Sequence, residues 1–316
     1  MRVLVTGASG FVGRAVLAEL ALRGCDTVAV SRRARTDLGP AECRVLSEPA
    51  NAGEVLALMR DVAPQVVLHL AGISSPENLA ELYRTNVVFA AHLLDAALAM
   101  QSAPRVVLVG SAAEYGPLPE AQQPVSEDCV CRPNTAYGIS KLAQTQHALL
   151  ARARGLPVVA ARLFNPIGAG MPKSLALGSF AHQIAGLNGD GGVLKTGDLD
   201  VVRDFMDVAD AARLLVDLAF IDSPRKPEIV NVCTGQGHSL LNLTQRLIAL
   251  SGTRIELQHD SARKGNSNVR AFVGSPGRLD QLGLQPAPFD VDAVLKRILE
   301  SAVAEGKSER RETLGN

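Results

Sequence analysis

The stretch VLVTGASGFVG, residues 3–13, runs from an apolar, β-branched segment into three glycines separated by two residues each. Gly7 allows a tight turn, Gly10 lets the backbone approach a diphosphate, and Gly13 lets the next helix pack closely on the strand. The N–H groups that begin this helix can then bind the phosphates. The stretch therefore predicts the strand, turn and helix of a dinucleotide site, although a glycine-rich turn can also be purely structural.

Similar apolar runs recur at RVLVTG (2–7), DTVAVS (26–31), QVVLHLAG (65–72), RVVLVGS (105–111) and LPVVAARLFN (156–165). Helical spacing follows each of the first four, with helices expected over about 11–23, 51–62, 77–101 and 135–154. Strands that are apolar without interruption are buried on both faces, as in a parallel sheet between two helix layers. The pattern predicts an α/β fold with a doubly wound parallel sheet.

The composition changes from residue 165 onwards, where the segments NPIGAGMPKSLALGS and GLNGDGGVLKTGDL are rich in glycine and proline. The later segment EIVNVCTG, residues 228–235, again has the pattern of a buried strand. We therefore predict a main domain over 1–165 with about 205–235 returning to it, a smaller α/β domain formed by 166–204 and 236–302, and a polar tail over 303–316.

Charge and composition exclude several classes of protein. Lysine and arginine number 32, which equals the number of aspartate and glutamate residues. No overall positive field therefore favours nucleic acid or an anionic membrane, and an anionic ligand must be bound by local arginines. The chain opens directly on a strand, and no apolar run reaches the roughly 20 residues that cross a bilayer. We expect a soluble, cytoplasmic protein.

Five cysteines, at positions 25, 43, 129, 131 and 233, lack the CxxC spacing of zinc sites and the density of a disulfide scaffold. We interpret them as reduced thiols and predict no metal site. Cys129 and Cys131 could form a redox pair. Because a single intervening residue is short for bridging, two loop thiols are the favoured interpretation.

The end of the second strand, VAVSRRAR (28–35), indicates which dinucleotide binds. Ser31 stands where an acidic residue would hold the ribose hydroxyls of NAD, and Arg32 and Arg33 follow, as suits the 2′-phosphate of NADP. NADP(H) is therefore the favoured cofactor, and NAD(H) is the alternative. The structural alternative for the two arginines is a solvated basic loop that binds no ligand. Glu48 is positioned to accept a hydrogen bond from the adenine amino group.

The chain resembles the extended short-chain dehydrogenase/reductase, or NAD-dependent epimerase/dehydratase, family over nearly its whole length. The stretches that carry the resemblance are TGASGFVG (6–13), HLAG (69–72), Asn86 in RTNV, GSAAEYG (110–116), YGISK (137–141), RLFNPIGAG (162–170) and RDFMDVADAA (203–212). The resemblance implies a Rossmann domain that binds NAD(P), a smaller C-terminal domain that holds a nucleotide-sugar, and catalysis by Ser111, Tyr137 and Lys141.

Tyr137 and Lys141 are four residues apart in a predicted helix, so their side chains share a face. The ammonium group is expected to lower the pKa of the phenol, which would exchange a proton with the sugar while the nicotinamide exchanges hydride. Lys141 would also hold the nicotinamide ribose, and Ser111 would polarise the carbonyl. A surface Tyr/Lys pair and a strand-end serine remain the structural alternative.

The remaining contacts are implied by the resemblance. The cofactor would touch Gly7, Ser9, Gly10, Phe11, Val12, Ser31, Arg32, Arg33, Glu48, Leu70, Ala71, Gly72, Asn86, Tyr137, Lys141 and Phe164. The nucleotide-sugar would touch Ser74, Ser111, Ala112, Asn165, Lys195 and Arg203, with Arg263 or Arg270 in place of a family arginine whose position here is Gly265. Arg203 with Asp204 could instead be a salt-bridged turn.

Within this family, RLFNPIGAG, LKTGDLDVVRDFMDV and NVCTG are similar to segments of GDP-4-dehydro-6-deoxy-D-mannose reductases. Related dehydratases carry acidic residues just after the catalytic hydroxyl, where this chain has Ala112 and Ala113. Strand alternation turns Glu114 away, unless a kink at the strand end returns it. We therefore expect an NADPH-dependent reductase of a 4-keto-6-deoxy nucleotide-sugar, with GDP favoured. A 4-epimerase that holds NAD tightly and a non-catalytic dinucleotide sensor are the alternatives. The two long helices predict a homodimer.

Overall fold

The computed structural model describes residues 1–74, 78–187, 191–221, 227–260 and 269–314, with side chains up to residue 307. The strands are β1 (Arg2–Thr6), β2 (Asp26–Ser31), β3 (Glu42–Val45), β4 (Val66–His69), β5 (Arg105–Ser111), β6 (Val158–Leu163), β7 (Asn165–Ile167), β8 (Gly192–Thr196), β9 (Val202–Asp207), β10 (Ile229–Val232), β11 (Gly237–Ser239), β12 (Ile255–His259) and β13 (Ala271–Phe272). The helices are α1 (Phe11–Leu22), α2 (Ala52–Val62), α3 (Leu79–Tyr83), α4 (Phe89–Leu98), α5 (Ala136–Ala153), α6 (Ala176–Ala185), α7 (Val208–Phe220), α8 (Leu240–Ser251), α9 (Gly277–Gln281) and α10 (Val291–Leu314).

Seven parallel strands form the main sheet in the order β10-β6-β5-β4-β1-β2-β3. The uninterrupted apolar strands are explained by burial on both faces. Val3 and Val5 pack with α1 and α7 on one side, whereas Leu4 packs with α2, α4 and α5 on the other. The predicted α/β fold with a doubly wound parallel sheet is confirmed.

The helix predicted near 77–101 is one helical segment over 79–98 in which a π-helical turn, Arg84–Val88, joins α3 to α4. The turn carries Asn86 into the interior, where the residue is fully buried. Among the described residues, no helix is both long and apolar enough to cross a membrane.

The second region builds on β9, which pairs with β7, β11 and β13, and on the separate pair of β8 and β12. Helices α6, α8 and α10 form its apolar core. Strand β10 instead lies beside β6 in the main sheet, and α7 packs on that sheet. The bounds of the two domains stay a prediction.

Candidate active site

The glycine turn leaves no room for side chains. Gly7 has a φ of +67°, and a Cβ atom there would lie 2.6 Å from the Ala71 nitrogen. A Cβ atom on Gly13 would lie 2.2 Å from the Gly7 oxygen. The turn therefore fits tightly between the start of α1 and the loop after β4, at the carboxyl edge of the sheet, where α/β folds bind ligands.

Helix α1 begins at this turn with its N-terminus open. Gly10 is the N-cap, no side chain caps the helix, and its first turn carries no acidic residue. Ser9, Gly10, Phe11 and Val12 are all at least partly accessible. An uncapped helix N-terminus with glycine at the cap suits a diphosphate, so these residues fit a dinucleotide.

Buried polar contacts between Thr6 at the end of β1 and the residues at the end of β4 fix the loop after β4. Thr6 Oγ1 lies 2.8 Å from His69 Nδ1 and accepts a hydrogen bond from the Ala71 nitrogen at 3.3 Å. Burial, with a smaller effect from Lys141, lowers the pKa of His69 to about 3, so the imidazole is neutral. Sequence reasoning quoted HLAG but missed this role of His69.

Asn86 holds the same loop from behind. Its amide nitrogen donates to the Ile73 oxygen and to Ser140 Oγ, both at 2.9 Å, and its amide oxygen accepts from the Ile73 nitrogen at 2.9 Å. These bonds support Leu70, Ala71, Gly72 and the exposed Ser74. A direct contact of Asn86 with the cofactor stays a prediction.

The segment after β2 presents two arginines without side-chain partners among the described residues, Arg32 and Arg33, both exposed. The neighbouring Arg35 and Arg14 are occupied, because each pairs with Asp37 at 2.6 Å. These two guanidinium groups hold the pKa of Asp37 well below its ordinary value. Ser31 ends β2, and Glu48 is exposed between β3 and α2.

Ser111, Tyr137 and Lys141 come together because α5 approaches the end of β5 closely. A Cβ atom on Gly138 would lie 2.4 Å from the Ala113 oxygen, so glycine is required for this approach. Thr135 Oγ1 begins the helix by accepting a hydrogen bond from the Gly138 nitrogen at 3.0 Å. Ser111 Oγ accepts from the Ala113 nitrogen at 3.2 Å, and the Ser111 side chain also forms a hydrogen bond with Tyr137.

The Lys141 ammonium group is buried and held by the protein. Its Nζ donates to the Val109 oxygen at 2.6 Å and to Gln144 Oε1 at 2.7 Å, which leaves the third hydrogen for another partner. Burial lowers the pKa of Lys141 to about 8, whereas the charge of Glu114 acts to raise it. The amine therefore stays mostly protonated at neutral pH.

The prediction that the pKa of Tyr137 is lowered is wrong when only the groups of the protein, without a cofactor, act on the phenol. Burial raises this pKa, Glu114 adds to the effect, and a hydrogen bond with the Ser111 side chain acts in the opposite direction. The Lys141 ammonium group donates to the Val109 oxygen and to Gln144 Oε1. Tyr137 is therefore a neutral phenol at physiological pH and a competent proton donor.

Strand alternation predicts that the Glu114 side chain turns away from the site, but the side chain lies beneath Ser111. Strand β5 ends at Ser111 and a 3₁₀ turn, Ala112–Glu114, follows, so the carboxylate returns beneath Ser111. Its Oε1 accepts from the Ser111 nitrogen at 2.8 Å, and its Oε2 accepts from Arg162 Nε at 2.9 Å. Sequence reasoning missed Arg162, although a charged residue within the apolar run VVAARL signals a buried partner.

On the substrate side, Asn165 and Arg203 are anchored to backbone. Asn165 Nδ2 donates to the Asp204 oxygen at 2.9 Å, and Arg203 donates to the oxygens of Val202, Val269 and Arg270 at 2.8 to 3.2 Å. The Asp204 carboxylate accepts hydrogen bonds from Thr234, Gly235 and Gly274.

The other predicted substrate contacts are dispersed. Lys195 is exposed on β8, in a different sheet, and Arg270 forms an exposed ion pair with Asp200. Phe164, which was predicted to contact the cofactor, is buried and stacks on Phe272 with ring centroids 5.9 Å apart. Arg263 lies outside the described residues.

The chain is similar to known proteins over nearly its whole length. Residues 3–233 match the profile of the NAD dependent epimerase/dehydratase family. The chain is 32% identical to a GDP-6-deoxy-D-mannose reductase of Pseudomonas aeruginosa, covering 98% of this chain and 99% of that protein. It is 31% identical to a dTDP-6-deoxy-L-talose 4-dehydrogenase (NAD(P)(+)) of Kitasatospora kifunensis, covering 96% and 94%. The solved structure of RMD from Pseudomonas aeruginosa complexed with NADPH superimposes with a TM-score of 0.80 at 28% identity, covering 96% of this chain and 99% of that one.

Proposed function

We propose that this chain, which belongs to the NAD dependent epimerase/dehydratase family, reduces a 4-keto-6-deoxy nucleotide-sugar with NADPH. Its family and its relatives support an NAD(P)-dependent oxidoreductase of the extended short-chain dehydrogenase/reductase type that acts on nucleotide-sugars. The resemblance carried by the motifs is thereby confirmed. The proposal adds the direction of the reaction, the cofactor and the substrate, which is GDP-4-dehydro-6-deoxy-D-mannose with GDP-D-rhamnose as the product.

The observation that carries the proposal is the position of Tyr137, near the start of α5, in a side-chain hydrogen bond with Ser111 at the end of β5, with burial raising the pKa of its phenol. The nicotinamide supplies hydride to C4 of the sugar when it is bound. Ser111 donates a hydrogen bond to the C4 carbonyl oxygen and polarises it, and Tyr137 transfers its proton to that oxygen as the alcohol forms. Lys141 remains charged and uses its free N–H to hold the ribose.

The described residues that follow Ser111 offer no free acid or base for dehydration at C5 and C6. Ala112 and Ala113 occupy the positions where such groups would stand, and the carboxylate of Glu114 is engaged by the Ser111 backbone and Arg162. Moving a proton at C5 needs a positioned base. The proposed enzyme therefore receives its keto sugar ready-made.

A substrate test follows. With GDP-4-dehydro-6-deoxy-D-mannose, we expect NADPH to be oxidised stoichiometrically and GDP-D-rhamnose to form, as measured by absorbance and mass spectrometry. GDP-mannose with NADP should yield no 4-keto-6-deoxy product. Formation of the keto sugar from GDP-mannose would contradict the reductase. Inactivity toward both would favour a UDP- or dTDP-sugar, or, if NAD is retained through purification, the 4-epimerase.

The GDP preference is supported by the GDP-6-deoxy-D-mannose reductase among the relatives. Asn165 and Arg203 are proposed to contact the diphosphate of the sugar nucleotide. The backbone contacts of Arg203 fix its guanidinium group next to β13, and burial lowers its pKa without removing the charge. A fixed guanidinium group can bind phosphate oxygens in a bidentate way.

We further propose a homodimer formed through α3, α4 and α5. Leu79 is 60% exposed, Ile139 is 44% exposed and Leu150 is 57% exposed, so the two helical segments expected to pair carry large apolar side chains at their surface. Light scattering at micromolar concentration should return about twice the chain mass of 33.3 kDa. Ile139→Glu should shift the mass toward the monomer, whereas the same change at the exposed Leu22 of α1 should not. A wild-type mass near that of one chain would rule the dimer out.

A further inference from the structure

A buried ion pair lies directly behind the catalytic serine. The side chains of Arg162 and Glu114 are 3% and 0% exposed, and their closest atoms are 2.9 Å apart. Glu114 also accepts the hydrogen bond of the Ser111 backbone nitrogen at 2.8 Å. The carboxylate therefore links the end of β5, which carries the serine, to β6, which carries the arginine.

Packing alone does not account for this pair. Removing two charges from water carries a large desolvation penalty, and apolar residues of similar volume often stabilise a core as well or better. The guanidinium group of Arg162 lies 4.5 Å from the Tyr115 ring centroid, and the Tyr115 hydroxyl donates to Asn231 Oδ1 at 2.6 Å. Arg162 Nη1 is buried without a partner in the described part of the chain. A buried ion pair that leaves one guanidinium nitrogen without a described partner is better explained by an electrostatic effect on the adjacent site of Ser111 and Tyr137.

The 3₁₀ turn that carries Glu114 packs directly against α5, the helix of Tyr137 and Lys141, so closely that a Cβ atom on Gly138 would lie 2.4 Å from the Ala113 oxygen. The charged and titratable side chains on the elements around α5 are Glu114 in the 3₁₀ turn, Arg105 on β5, Arg162 on β6, His69 on β4, Arg84 in the π-helical turn, Glu81 and Tyr83 on α3, and His92 and Asp95 on α4. Among these described groups, Glu114 alone acts on the pKa values of both Tyr137 and Lys141, and it raises each of them.

We propose that Glu114 is a positioning residue that holds Ser111 in place and, through its negative charge, keeps Tyr137 in the form that donates a proton. A fixed carboxylate disfavours a second negative charge nearby, so the phenolate is opposed while the ammonium of Lys141 is retained. The site is thereby suited to reducing a carbonyl, which consumes a proton. The suitability for carbonyl reduction rests on the proposed function, whereas the effect of Glu114 on Tyr137 does not.

The composition of the chain allows a direct test without any substrate. It has no tryptophan and three tyrosines, Tyr83, Tyr115 and Tyr137. In a Tyr83→Phe/Tyr115→Phe background, Tyr137 is therefore the one phenol whose ionisation changes the ultraviolet absorbance. Glu114→Gln should lower the midpoint of this titration by about one pH unit, the low end of what a neighbouring charge does.

Glu127→Gln is the matched control. Glu127 is also a buried carboxylate in this polar network, where it accepts from the Asn231 nitrogen at 2.7 Å and lies 3.6 Å from Arg278. It does not act on the pKa of Tyr137. Should Glu114→Gln fail to fold because Arg162 loses its partner, Glu114→Gln/Arg162→Gln removes both charges and should shift the midpoint in the same direction. A midpoint that moves no further than in the Glu127→Gln protein would overturn the proposal.

A second readout separates this proposal from the proposed function. The rate of NADPH-dependent reduction should fall as pH rises first through the pKa of Lys141, about 8, and then through that of Tyr137. Because the charge of Glu114 raises both pKa values, Glu114→Gln should move this alkaline limb to lower pH. A wild-type protein inactive on every keto sugar would contradict the proposed function while the absorbance titration still decides the role of Glu114. An unmoved titration in an active reductase would contradict the role of Glu114 alone.

Discussion

Tyr137→Phe is expected to lower the rate of sugar reduction by about 100- to 10,000-fold, the usual contribution of general acid catalysis. The change removes one hydroxyl and leaves the ring, which is half-buried on α5 beside the end of β5. The proton that the forming alcohol needs must then come from water, while Ser111 still polarises the carbonyl. Steady-state rates with NADPH and the keto sugar measure the effect.

Tyr83→Phe is the control for this prediction, because Tyr83 is exposed at the end of α3 and takes no part in the proposed chemistry. Melting temperature and the dissociation constant for NADPH should be unchanged in both variants. Activity of the Tyr137→Phe enzyme within a few-fold of wild type would remove Tyr137 from the mechanism.

The sequence predicts the fold well because the relevant signals are local. The apolar strand around Leu4, the glycines at 7 and 13, and the helical spacing after each strand are each explained by contacts within one βα unit and its neighbours. The close approach at Gly138 was not among the predictions, although a glycine directly after Tyr137 is a local signal that could have indicated a nearby backbone.

The charge state of the site could not be predicted in this way. The position of Glu114 depends on where β5 ends, and the pKa of Tyr137 depends on burial and on a carboxylate three residues beyond Ser111. Arg162 is distant from Glu114 in sequence, so its role requires the pairing of β5 with β6. Helical spacing correctly indicates that Tyr137 and Lys141 share a face, but it cannot show that Val109 and Gln144 bind the ammonium group.

Simultaneous replacement of Arg32 and Arg33 by alanine is expected to reduce the preference for NADPH over NADH by tenfold or more, because charge-assisted hydrogen bonds contribute roughly 1.5–3 kcal/mol each. The 2′-phosphate carries the charge that distinguishes the two cofactors, and these side chains follow the strand end where it would lie. Dissociation constants for both cofactors, measured by titration at fixed ionic strength, give the ratio.

Arg35→Ala supplies the matched control, because this arginine is in the same segment but its guanidinium group is bound by Asp37 at 2.6 and 2.8 Å. A general loss of positive potential would affect both proteins, whereas a phosphate site formed by unpaired arginines would affect the double variant far more. The difference should shrink at high salt, since exposed charges are screened. Equal weakening of NADPH and NADH in the double variant would mean that Arg32 and Arg33 form a solvated loop. The preference for NADPH would then have to arise from another part of the site.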